Sequence, residues 1–65
     1  MTTKRKPDVE EILDGVRLRA YRRRSEIEVL IGDGEIDDPD ANVWCYPKQL
    51  GTAEACRLAR VEGTR

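Results

Sequence analysis

The sequence predicts a small α+β domain with a short N-terminal helix, an antiparallel sheet of three to four strands, and a C-terminal helix packed on one face. Three observations carry that expectation. Pro7 followed by Asp8, Glu10 and Glu11 has the chemistry of a helix start; residues 16–31 alternate polar and apolar on both sides of an arginine-rich stretch; and residues 52–62 return to helical spacing.

At 65 residues the chain has room for one domain, which buries only about 60% of the surface its unfolded form exposes. Leu, Ile and Val supply 14 residues and Phe none, just above the roughly 20% of large aliphatics below which a charged chain stays disordered. The net charge is only −1, so self-repulsion does not oppose folding. Residues 1–6 form a flexible basic arm and residues 7–65 a single domain. Nine arginines against three lysines is a usage seen in GC-rich bacterial and phage genomes.

The elements follow in order. Val9, Ile12 and Leu13 make one apolar face of a helix whose acids favour its positive end, and Gly15 reads as its C-terminal cap. Residues 16–31 allow two readings. A continuous helix to Ile31 carries Gly15 in its interior, arginines in its apolar stripe and the β-branched run IEVLI. A hairpin is favoured: Val16, Leu18 and Ala20 alternate with Arg17, Arg19 and Tyr21, and Ile27, Val29 and Ile31 with Glu26, Glu28 and Leu30. With Arg22–Ser25 as a loop, Val16 faces Ile31, Leu18 faces Val29 and Ala20 faces Ile27, while Arg19 meets Glu28 and Tyr21 meets Glu26.

Asp33-Gly34 then signals a turn into a brief return strand at Ile36, ended by Pro39. Asn42–Tyr46 reads as a further strand closed by Pro47, with Val43 and Cys45 on one face and Trp44 and Tyr46 on the other. Thr52 is the expected N-cap of a helix with the stripe Ala55, Leu58, Ala59 and Val61, and Gly63 after its end.

Composition narrows the function. With no histidine and two cysteines, Cys45 and Cys56, one chain cannot build a Cys₄ or Cys₂His₂ site, so no metal is expected. A Ser-His or Cys-His nucleophile and a glycine-rich phosphate loop are also missing; neither catalysis, a cofactor nor a small-molecule substrate is expected. No apolar run reaches the ~20 residues that span a bilayer, no secretory signal precedes the cysteines, and free thiols in a cytoplasmic protein are the expectation.

Charge is uneven: residues 1–24 carry net +4, 25–47 net −7 and 48–65 net +2. Such asymmetry means internal matching or separate charged surfaces. The leading expectation is a regulator or adaptor that contacts another protein, a second copy of itself included, through Trp44, Tyr46 and the acidic residues Asp37, Asp38 and Asp40. For Trp44 itself, the one Trp in a chain without Phe, the favoured reading is the core's largest side chain, in which case Cys45 faces outward. The alternative is a nucleic-acid-binding regulator using Lys4, Arg5, Lys6, Arg22, Arg23 and Arg24, since arginine forks grip phosphate. A third is a structural subunit of a phage-like assembly.

TAEACRLARV, through Glu54, Ala55, Leu58 and Val61, resembles the first helix of the helix-turn-helix in small excisionase-like and MerR-like DNA-binding proteins. The match covers residues 52–61, and the chain ends at Arg65 before a groove-reading helix can follow, so the chain is not assigned to those families.

Overall fold

The structure, a computed structural model, describes residues 6–63. Four strands, β1 (Val9–Leu13), β2 (Val16–Arg22), β3 (Glu26–Ile31) and β4 (Asn42–Pro47), are followed by a single 3₁₀ turn (Lys48–Leu50) and helix α1 (Thr52–Gly63). The sheet is an antiparallel meander in the order β1-β2-β3-β4. Helix α1 lies across one face, mainly over β3 and β2.

The expected N-terminal helix is instead a strand. Asp14 and Gly15 both have positive φ, 54° and 77°, and they join Leu13 directly to its partner Val16. That is the two-residue hairpin turn whose twist suits the flanking strands and which Asp-Gly favours. An isolated helix of residues 8–14 is far below the roughly 12–15 residues at which helices become stable in water. Pairing with β2 supplies a complete ladder to the same residues. The strand splits the helical face, so Val9 and Leu13 point to the α1 side and Ile12 to the other.

The β2–β3 hairpin forms with both faces as expected but two residues out of the expected register. Leu18 pairs with Ile31, Ala20 with Val29, Tyr21 with Glu28 and Arg19 with Leu30. Arg23 N donates to Glu26 O at 2.8 Å, so only Arg24 and Ser25 remain unpaired at the tip, in place of a loop of residues 22–25. The tighter tip extends the ladder, and because side chains alternate with period two, a shift of two leaves every apolar residue on its own face.

The return strand at Ile36 does not form. Residues 32–41 make two successive turns, Asp38 N to Glu35 O at 3.0 Å and Ala41 N to Asp38 O at 3.1 Å. The place beside β3 that a return strand would take is held by β4, with Asn42 opposite Ile31. Arg19, 4% exposed, fixes the loop instead, donating from Nη2 to Gly32 O at 2.9 Å and to Gly34 O.

On the α1 side, Leu18, Ala20, Ile27, Val29 and Ile31 pack against Ala55, Cys56 and Ala59, with Val9, Val16, Trp44 and Tyr46 around the margin. Small residues at 55, 56 and 59 let the helix approach closely. Leu58 is half-buried and Val61 exposed, so the helix is rotated from the expected stripe towards Cys56. Gly51 O accepts from Ala55 N at 3.0 Å, which makes Gly51 the capping residue and Thr52 the first helical one. Gly63 lies inside α1, and a Cβ there would come within 3.0 Å of Ile31 Cγ1. Its part is close packing.

Candidate functional site

The meander sorts charge by its ends. The 14–15 turn and the 32–41 loop share one end with Asp14, Asp33, Glu35, Asp37, Asp38 and Asp40; Lys6, the Arg22–Arg24 tip and Lys48 share the other. Helix α1 begins at the basic end and finishes beside Ile31 at the acidic end, so its macrodipole adds to the charge separation. Ion pairs offset it along the sheet: Arg17 with Glu10 at 2.7 Å, Arg23 with Glu28 at 2.6 Å and Arg60 with Glu11 at 2.7 Å. Glu10 holds the Arg17 guanidinium above its ordinary pKa, chiefly by hydrogen bonding.

The expected site residues divide accordingly. Trp44 and Tyr46 are half-buried on the α1 side of β4 and pack against the core. Asp37, Asp38 and Asp40 are exposed in a loop that Arg19 ties to the opposite face, so the structure does not gather these five residues into one surface. Of the basic set, Lys4 and Arg5 lie outside the described residues; Lys6, Arg22 and Arg24 are exposed, and Arg23 is half-buried in its ion pair. Asp8 adjoins them, its Oδ2 accepting from Arg22 N at 2.7 Å.

Cys45 is exposed and Cys56 buried, on opposite faces of the sheet, which keeps them apart as free thiols. Desolvation, then the charges of Glu26 and Glu28, push the Cys45 thiol above its ordinary pKa. It stays protonated and weakly nucleophilic at neutral pH. Ligand atoms of Glu26, Glu28 and Cys45 do come within 4.8 Å of one another, a grouping created by the register Glu28↔Cys45. Glu28 is already engaged by Arg23 Nε at 2.6 Å. Desolvation also raises Tyr46, followed by the charge of Glu62, and its hydroxyl is buried with no hydrogen-bond partner among the described residues.

The feature that sequence reasoning missed is the edge of the sheet. Helix α1 covers the central strands and leaves β1 open, so a groove of about 670 Å³ runs between them, lined from β1 by Val9, Glu11 and Leu13 and from α1 by Cys56, Arg60 and Val61 among others. The Glu11–Arg60 pair bridges it. Of the four large apolar side chains exposed among the described residues, three border this edge: Ile12 (71%), Leu13 (52%) and Val61 (49%). Cys56 sits in the groove wall with its thiol pushed up by burial, then by the charge of Glu11.

The chain matches no protein-family model, no curated protein and no solved structure. Geometry alone therefore guides the functional reading. Among the described residues, no helix is long and apolar enough to cross a membrane.

Proposed function

We propose that this chain is a small non-enzymatic binding module, a regulator or adaptor that docks on another protein through the open β1–α1 edge. The observation that carries the reading is that Leu13 and Val61 stay exposed in the wall of an apolar groove, with Ile12 exposed on the opposite face of the same edge strand, in a chain with few large apolar residues to leave in water. Trp44 and Tyr46 then serve the core, and the contact moves from β4 to β1. Contiguous exposed apolar surface rimmed by charge is the usual mark of an interaction site. For nucleic-acid binding the support is narrower, since Arg23 is matched by Glu28 and Asp8 and Glu26 adjoin the remaining bases.

The test is capture of partners from the native host's lysate after nuclease treatment, with the full chain and with the Ile12→Lys and Val61→Lys variants. One stoichiometric protein should be retained by the parent chain and lost with either variant. Capture indifferent to both substitutions, or recovery of nucleic acid alone before nuclease, would overturn the reading.

A further inference from the structure

Resting on the docking reading above, the geometry points to the chemistry of the occupant: an extended segment of another protein, aliphatic at alternate positions and carrying Lys or Arg between them, added to β1 as a fifth strand.

The backbone of β1 is the first ground. In a two-residue hairpin the residues flanking the turn exchange hydrogen bonds, so Leu13 bonds with Val16, and by alternation Glu11 bonds with Leu18 and Val9 with Ala20. Asp8 N also donates to Ala20 O, at 2.8 Å. The N–H and C=O groups of Glu10 and Ile12 therefore face away from the sheet. No proline interrupts residues 9–13, whereas β4, the other edge, ends in Pro47. Beyond Asp8, which shares Ala20 with Val9, outward-facing backbone groups of this kind on an edge strand are a template for a further strand.

The groove is the second ground. Side chains of an added strand alternate between its two faces. Those on the α1 side would enter the 670 Å³ space against Leu13 and Val61, while those on the far side would lie beside Glu10 and Ile12. Backbone pairing supplies affinity in such complexes and the pockets for alternate side chains supply selectivity.

Charge identifies the partner. Residues 8–14 (DVEEILD) contain four acids and no base; Arg17 and Arg60 answer Glu10 and Glu11 through one oxygen each, at exposed positions where such pairs are weak, and each carboxylate keeps a second oxygen for a further cation. A second copy fits poorly, because pairing two β1 strands through their outward groups sets Glu10 against Glu10, Glu11 against Glu11 or Glu10 against Asp14, according to register. Like charges directly opposite one another are destabilising. A strand with Lys or Arg at the position beside Glu10 has the complementary charge, and aliphatic residues on its other face match the groove.

The probes are three short synthetic peptides added to the full chain: one alternating lysine and valine, one alternating glutamate and valine, and one with the lysines and valines in separate blocks. Hydrogen exchange is followed amide by amide by NMR. With the lysine–valine peptide, protection of the Glu10 and Ile12 amides should rise at least tenfold, while Glu11 and Leu13, already bonded to β2, change little. The block peptide and the glutamate peptide should bind at least tenfold more weakly. An Ile12→Pro variant, which removes one outward donor, should lose the effect while its circular dichroism stays that of the parent; an Ile12→Thr variant, which keeps the donor, should retain it.

Equal binding of the glutamate peptide would overturn the charge assignment, and groove shifts without protection of Glu10 and Ile12 would overturn the fifth strand. Protection of those amides that rises with protein concentration alone would make the occupant a second copy. Failure here with partner capture still sensitive to Val61→Lys sinks this inference only; loss of that sensitivity sinks the docking reading as well.

Discussion

Arg19→Met isolates the contribution of the buried cation that ties the 32–41 loop to the sheet. Two hydrogen bonds from a charged donor, to Gly32 O and Gly34 O, contribute about 1.5–3 kcal/mol each. Against them stands the desolvation of a guanidinium that is 4% exposed, several kcal/mol, together with the buried Nε that has no partner among the described residues. Glu35 lies 4.0 Å away with its side chain 58% exposed, and screening leaves it little to add. Methionine keeps most of the aliphatic stem and removes bonds and desolvation together, so these terms largely cancel. The expected net loss is about 1–2 kcal/mol, and Arg19→Ala, which also removes the stem packing, should lose about 3–4 kcal/mol. Those are large fractions of the ~3–10 kcal/mol that a chain of this size has in total. Urea unfolding at neutral pH measures both, with an unchanged slope showing that the folded state is intact. Amide exchange should quicken at Asp38 and Ala41, the donors of the loop's own turns. If Arg19→Met matches or exceeds the parent in stability and leaves those amides protected, Arg19 does not pin the loop.

Gly15→Ala should destabilise by about 1–2 kcal/mol in urea, because φ is 77° with nothing within 4 Å of the added methyl, leaving backbone strain as the only cost; a helix through residue 15 would instead be stabilised. Gly63→Ala should lower the melting temperature despite alanine's helix preference, since the methyl meets Ile31 Cγ1 at 3.0 Å and Cγ2 at 3.3 Å; a rise in melting temperature would show that α1 gives way at its end. Cys45, Tyr46 and Cys56 all have raised pKa values in the folded chain, with desolvation the first cause at each. The unfolded chain therefore releases these protons first, so stability is intact below the ordinary thiol value of 9.0 and declines as pH rises through the folded values. Cys56→Ala should flatten that decline in a pH series of urea melts, and an unchanged slope would assign it elsewhere.

The parts of the fold that were legible in the sequence are those written in local periodicity. Residues 16–20 alternate strictly and residues 26–31 do so up to Leu30, and a register shift of two cannot exchange their faces, so the apolar row was identifiable even though its pairing was not. Trp44, Tyr46 and outward-facing Cys45 followed from the same rule in β4. Residues 8–15 carried two signals at once, the three-four spacing of Val9, Ile12 and Leu13 and the Asp14-Gly15 turn. Only β2 lying alongside decides between them, because a ladder stabilises a strand where a helix this short has no support. Arg19 read as one of two outward arginines, with Arg17, and nothing local marks it as the one that is buried.

The sequence by itself determined the faces, the β2–β3 hairpin, the C-terminal helix and the separation of charge. The tertiary structure decided the register, the first strand and the edge groove, whose walls come from residues 9–13 and 52–61. The reason is physical: periodicity reports which side of an element is apolar, whereas which apolar side chains remain uncovered depends on how far a twelve-residue helix can reach across four strands.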